Sequence, residues 1–329
     1  MTSPSSGELF AAVSDSLLDR LGLGGDLLAP TRSLLRAVAA DQAATARTAE
    51  LADGMRARIG HFFGQKTLFS DADLAGLGDG GGEGIEGVFR VEGAVPLAAL
   101  IITAPDVEAY WRDIGYPDEV IAATVADLGR QVRKTIAVTG RFGLGQAGWL
   151  EMIWRGGFAQ LGRLQFEIAR SDLGRENAGE GSLVLSTHIA PIGSLAPDAV
   201  DASLGRARAF FHDHFGNLAA EPGAFNVSAE PGAFNTAVCY SWLLDSDLMG
   251  RMPGSNMDAF ARRWTVWDRP VSDGSGMFFG FDRPYKDGER VAEVLDELPY
   301  DSRLHRTMID LWRSGGHVHN CYGWLTLPA

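Results

Sequence analysis

Leu164-Gln165-Phe166-Glu167-Ile168 alternates strictly between apolar and polar side chains. A period of two puts Leu164, Phe166 and Ile168 on one face and Gln165 and Glu167 on the other. The segment is therefore predicted as a strand with one face buried. Residues 182–190 (SLVLSTHIA) read as a second strand, followed by a loop holding Pro191, Gly193 and Pro197. A helix is expected over 198–215, with Val200, Leu204, Ala207 and Phe211 on one face. Further strands are expected at 236–244, 277–281 and 318–327, with helical stretches at 291–298 and 304–312. Strands alternating with helices in this way predict a sheet with helices packed on its faces.

Upstream, the pattern is helical. Leu9, Phe10, Val13, Leu17 and Leu18 fall at helical spacing over 6–21, and 30–63 is rich in the helix formers Ala, Arg and Leu. Tyr116-Pro117-Asp118 marks a helix start, and Ile121, Val125, Leu128 and Val132 then share one face. Residues 74–87 (LAGLGDGGGEGIEG) read as an acidic, flexible loop, because carboxylates repel phosphate and no Lys-Ser/Thr pair follows the glycines. The expected architecture is α+β, with a mostly helical N-terminal domain over 1–148 and a sheet-bearing domain over 149–329. AEPGAFN occurs at 220–226 and again at 229–235, which reads as a surface loop that has taken a tandem insertion.

Bulk composition narrows the function. Hydrophobic residues make up 46% of the 329 and charged residues 22%, enough apolar material for a sizeable core. A formal net charge of −13 argues against a broad nucleic-acid or anionic-membrane footprint, while leaving room for a local basic patch. The two cysteines, Cys239 and Cys321, form no disulfide framework or metal-ligand spacing and suit a reducing, cytoplasmic compartment. The N-terminal MTSPSSGELF lacks the basic and apolar regions of a secretory leader, and no apolar run is long enough to span a bilayer.

Several ordered motifs then carry a family resemblance. LGRLQFE (161–167), the strand end His188-Ile189-Ala190-Pro191, SLAPDAVDASLGRARAFF (194–211) and VCYSWLLD (238–245) resemble bacterial acyltransferase-domain proteins. These have a helical N-acyltransferase N-terminal domain and a GNAT-like C-terminal domain. GYPDEVIAATVADLGR (115–130) and SGGHVHNCYGW (314–324) resemble the same family. The resemblance implies a mixed sheet with a V-shaped opening that takes an acyl-CoA as co-substrate, with no tightly bound cofactor. The strand 182–190 and the helix from Asp198 would flank the donor, and 236–244 would form the other arm of the V. It also implies that Ile189, Ala190, Ile192, Gly193 and Ser194 bind the donor, its pyrophosphate meeting N–H groups at the helix N-terminus. Two departures stand out. The loop APIGSLAPDAV has one glycine and an aspartate, Asp198, expected to cap the helix and to compete with phosphate for the same N–H groups. The family pattern has a histidine where this chain has Tyr240, so no catalytic histidine is carried to that position.

Acyl transfer to an amine needs a neutral amine, a polarised carbonyl and a proton for the leaving thiolate. Glu167, on the polar strand face, and His188, at a strand end, are the candidate bases; each reads equally as an ordinary strand residue. Tyr240 and Ser241 are candidate acids for the thiolate, and alternation lets only one of them face the opening. Cys239 as a nucleophile, and the pairs His212/His214 and His317/His319 as metal ligands, are weaker readings, and no metal is expected. Phe260, Trp264, Trp267, Phe278 and Phe279 read as core. The expected partners are an acyl donor and a small-molecule amine or hydroxyl acceptor, with no membrane. The alternatives are a tRNA-borne donor held by Arg130, Arg133, Lys134 and Arg141, or a binding protein without chemistry.

Overall fold

The computed structural model describes residues 9–74, 92–171, 181–216, 232–285 and 289–328. The chain divides into two compact units, Met1–Ala159 and Gln160–Ala329.

The first unit is helical: α1 (Asp15–Arg20), α2 (Leu28–Ala40), α3 (Gln42–Arg56), α4 (Ala94–Asp113), α5 (Asp118–Val125), α6 (Asp127–Thr139) and α7 (Ala147–Trp154). Ser14 starts α1 by accepting the Leu17 N–H at 3.2 Å, so the helix predicted over 6–21 is shorter than its apolar spacing suggests. The helix predicted over 30–63 is two. Asp41 is extended (φ −102°, ψ 114°) and its carboxylate accepts the Ala44 N–H at 3.0 Å, ending α2 and capping α3. Ile121, Val125, Leu128 and Val132 are all buried as expected, but the chain turns at Ala126 and divides them between α5 and α6. Leu97, Ala98, Leu100, Ile101, Ala104 and Val107 of α4 are fully buried. A helix apolar around its circumference belongs at the centre of a core, and α4 packs against α2, α3 and α7. Burying each large aliphatic side chain stabilises the unit by about 1.5–3 kcal/mol. The acidic loop predicted at 74–87 lies, after Leu74, outside the described residues.

Two backbones touch where α6 crosses the turn after α1. Gly129 N–H donates to the Leu21 carbonyl at 2.8 Å. A Cβ on Gly129 would overlap the Gly22 carbonyl and lie 2.7 Å from the Gly22 Cα. Backbone cannot rotate away as a side chain can. Gly129→Ala is therefore expected to destabilise the unit by about 2–3 kcal/mol, read as a lower urea midpoint with an unchanged slope.

The second unit holds a six-stranded sheet in the order β1-β2-β3-β4-β6-β5. The strands are β1 (Phe158–Leu161), β2 (Leu164–Arg170), β3 (Leu183–His188), β4 (Thr236–Ser241), β5 (Thr265–Asp268) and β6 (Cys321–Thr326). β2 and β3 pair antiparallel, as do β4 with β6 and β5 with β6, while β3 and β4 run parallel. A parallel pair needs a crossover, and α8 (Pro197–Phe215) provides it. The shorter helices α9 (Asn256–Ala261) and α10 (Arg303–Arg313) complete the labelled elements. Phe166, Ile168, Leu183, Leu185, Ala237, Cys239, Cys321 and Gly323 share one face by register and are buried. The opposite face carries partly exposed polar and aromatic side chains.

Some expectations are corrected here. Residues 277–281 are not a strand: Gly276–Gly280 forms a π-helical turn pressed on α10, where a Cβ on Gly276 would lie 2.8 Å from the Met308 Cε. The helix predicted over 291–298 is two short 3-10 turns, Val291–Glu293 and Leu295–Glu297. β4 stops at Ser241, and Trp242–Leu244 turns as a 3-10 helix. β1 and β5 lie outside the predicted strands. The first AEPGAFN copy is outside the described residues. Of the second copy, residues 229–231 lie outside the described residues, and at its end Phe234 is fully buried and its N–H donates to the Leu183 carbonyl at 3.0 Å. No helix among the described residues is long and apolar enough to cross a membrane.

Candidate active site

The sheet opens at its parallel pair. β3 and β4 are in register at Leu185–Ala237 and Ser186–Val238, and there their pairing stops. Both strands run on, held from outside: Phe166 pairs with Thr187 and Gln165 with His188 on one side, and Cys239, Tyr240 and Ser241 pair with Gly323, Tyr322 and Cys321 on the other. Thr187 and His188 thus diverge from Cys239, Tyr240 and Ser241. Main-chain groups along the two inner edges have lost their sheet partner, and such groups need one.

Register assigns the side chains to faces. Gln165, Glu167, Ser186, His188, Val238, Tyr240, Tyr322 and Trp324 share the open face. There Glu167 Oε2 and His188 Nε2 lie 3.1 Å apart, both partly exposed. The two candidate bases are therefore a hydrogen-bonded pair, one from each strand of an antiparallel ladder. Tyr240, half exposed, stacks on Tyr322 with ring centroids 4.2 Å apart and planes at 26°. Trp267 follows at 5.8 Å from Tyr322. Trp267 and the exposed Phe279 are thus not core, whereas Phe260 and Trp264 are buried as expected. Nothing in the local sequence around Tyr322 or Trp267 reveals the stack, which exists only once β4, β6 and β5 are paired.

Ser241 lies on the other face with Cys239, and its Oγ accepts the Leu243 N–H at 3.1 Å, capping the 3-10 turn. Burial pushes the Cys239 thiol far above its ordinary range and that of Cys321 up to about 11. Neither is a thiolate at neutral pH, which removes the activated form a nucleophilic cysteine needs.

The loop after β3 is shaped by a residue that sequence reading passed over. Arg163, in the β1–β2 turn, donates from Nη1 to the Ala190 carbonyl at 2.9 Å and from Nε to the Ser194 carbonyl at 3.0 Å. Among the described residues it has no carboxylate partner, and burial lowers its pKa. Ile189, just before these anchors, and Ile192, between them, are half buried, Ile192 N–H closes a turn on the Ala190 carbonyl, and Gly193 takes a left-handed φ of 62°. Asn256 Nδ2 donates to Ser194 Oγ at 2.5 Å. Asp198 does not cap α8. The cap is Ala196, Pro197 fills the first helical position, and no side chain bonds the first N–H groups.

Three other histidines are engaged elsewhere. His212 Nε2 lies 2.8 Å from the Ala233 carbonyl, His317 Nδ1 2.7 Å from Asp273, and His319 Nδ1 3.1 Å from the fully buried Asp245. Of the basic strip in the first unit, Arg130 is tied to Asp127 at 2.7 Å and Arg133 to Asp26 at 2.8 Å.

Comparison with known proteins gives matches over both units. Residues 158–325 match the GNAT-like C-terminal domain and 14–156 the N-acyltransferase N-terminal domain. An acyltransferase mutant in complex with octanoyl-CoA superposes with a TM-score of 0.71 at 26% identity, over 99% of this chain and 90% of that one. An acyltransferase in complex with decanoyl-CoA and teicoplanin gives 0.70 at 28%, over 95% of this chain and 87% of that one. No curated protein matches. The fold defines an acyltransferase of mixed α+β type. The chain belongs to the family that carries the GNAT-like C-terminal domain, here preceded by the N-acyltransferase N-terminal domain.

Proposed function

We propose that the protein transfers an acyl group from acyl-CoA directly to the amine of a small molecule in the cytoplasm. The observation that carries this reading is the break between β3 and β4 beside the Glu167–His188 pair. An extended acyl-pantetheine arm supplies the amide groups that the diverging edges lack. The acceptor amine attacks the thioester carbonyl, the new C–N bond forms, and the C–S bond breaks. The Glu167–His188 pair takes the proton that the amine nitrogen loses. Tyr240, exposed on the same face, donates to the departing sulfur; Ser241 is on the far face and already caps a turn. The Tyr240–Tyr322–Trp267 row lines the open face with aromatic surface suited to a ring-bearing acceptor, in keeping with the glycopeptide teicoplanin in a structural neighbour.

Ile189, Ala190, Ile192, Gly193 and Ser194 hold the nucleotide end of the donor, with Arg163 fixing their carbonyls. Arg163→Met frees the Ala190 and Ser194 carbonyls and with them the loop that meets the nucleotide end, and is then expected to weaken decanoyl-CoA binding about tenfold. Decanoyl-pantetheine, which lacks the phosphates, should bind both forms alike; equal losses for the two donors would mean that Arg163 only holds up the fold. A tRNA-borne donor is disfavoured because Arg130 and Arg133 are already neutralised by carboxylates. The deciding experiment titrates the protein with decanoyl-CoA and then follows CoA release with a panel of amines, hydroxyl compounds and no acceptor. Saturable binding with amine-dependent release and an N-acylated product supports the reading. Absence of binding at millimolar decanoyl-CoA sinks it, and binding without turnover leaves a binder rather than an enzyme.

A further inference from the structure

Thr187 is the first residue of β3 beyond its last pairing with β4. It is 2% exposed, and its Oγ1 is sealed from solvent with no hydrogen-bond partner among the described residues. A buried hydroxyl without a partner is destabilising, and native chains pair nearly all such groups. Valine has almost the same shape and would fill the space without that cost. Packing among the described residues does not explain the hydroxyl, and a ligand in the neighbouring opening would supply the missing partner.

Its position limits what that partner is. On one side Thr187 is paired to Phe166 of β2; on the other it borders the opening. It belongs to the face opposite His188, so it meets only a ligand that passes into the gap through the plane of the sheet. An acyl-pantetheine arm is narrow enough for that passage and carries carbonyl oxygens along its length. We infer that Thr187 Oγ1 donates a hydrogen bond to a carbonyl of the acyl-pantetheine arm and so sets how deep the donor enters beside Glu167 and His188. This rests on the acyl-CoA reading above. Thr187 is a binding and positioning group in this assignment; it takes no proton and forms no bond in the transfer.

The test compares Thr187→Val, Thr187→Ala and Thr187→Ser with wild type, using thermal melts of the free protein and calorimetric titration with decanoyl-CoA. Thr187→Val removes the unpaired hydroxyl, so the free protein should melt about 2 °C higher. The same variant should bind decanoyl-CoA about tenfold more weakly, the loss of one well-made hydrogen bond. Thr187→Ser keeps the hydroxyl and should stay within about twofold of wild-type affinity. A purely structural threonine cannot raise stability and lower affinity in one substitution. If valine leaves the free protein unable to fold, Thr187→Ala must still show the affinity loss. Wild-type affinity in either hydroxyl-free variant overturns the assignment and leaves the acyl-CoA reading intact. Failure of wild type itself to bind decanoyl-CoA overturns both.

Discussion

His188→Ala lowers kcat by about 10²–10⁴-fold, the range that a positioned general base contributes, while the decanoyl-CoA dissociation constant changes little. The geometry behind this expectation is the 3.1 Å contact between His188 Nε2 and Glu167 Oε2 on the open sheet face. A carboxylate in that place orients the imidazole and steadies the positive charge it gains when it takes a proton. Glu167→Gln keeps the shape and a hydrogen-bonding group but loses the charge, so its loss in kcat should be large but smaller than that of His188→Ala. The two residues act on one proton. The double variant should therefore be little worse than His188→Ala alone, and full additivity of the two losses would show that they work separately. Wild-type kcat in His188→Ala, measured by CoA release with a competent acceptor, removes the pair from the mechanism.

Asp245→Ala is expected to destabilise the second unit by about 2–4 kcal/mol, the cost of leaving two partly buried main-chain N–H groups without their acceptor. Asp245 is fully buried and accepts from Arg269 Nη2 at 2.8 Å, from the His319 N–H at 3.0 Å and from the Asp247 N–H at 3.0 Å. His319 Nδ1 adds a contact at 3.1 Å. One carboxylate thus ties the turn after β4 to the residues that follow β5 and precede β6. Alanine there leaves the main-chain N–H groups of His319 and Asp247 without their acceptor and Arg269 with one carboxylate instead of two. Asp247 holds the same Arg269 from the surface, and Asp247→Ala should cost at most about 1 kcal/mol. Urea unfolding of the two variants separates these cases; equal losses would mean that the buried contact carries no special weight.

Much of this was readable along the chain, and what was not has a physical reason. The alternation in 164–168 gave β2 and its buried face directly, and the strand at 183–188 and the helix at 197–215 follow their side-chain periods closely. The apolar run at 277–281 resembles a strand, but short apolar runs do not distinguish strand from turn; close packing on α10 settles it as a π-helical turn. Asp41 could be read as a cap, yet composition alone runs helix straight through it. Glu167 and His188 each stood out as polar groups on strand faces. Their contact depends on the β2–β3 register, which no local pattern encodes. The same holds for Tyr240, Tyr322 and Trp267, which belong to three strands and meet only in the assembled sheet. Thr187 was invisible for a different reason: a threonine in a strand is ordinary, and only the absence of a partner marks it.

The short parallel register has a mechanical consequence. With β3 and β4 joined by two residue pairs only, the sheet behaves as two three-stranded leaves, β1-β2-β3 and β4-β6-β5, meeting at a narrow hinge. The strands that border the seam are each held in their own leaf by six antiparallel residue pairs, against two across it, so bending concentrates at the seam. A donor lying in the seam as proposed is a temporary seventh strand, bonded to both leaves at once. Loading the enzyme then splints the sheet, and losing the acyl group and CoA unlatches it. Turnover and the stiffness of the fold are in that case one cycle seen from two sides.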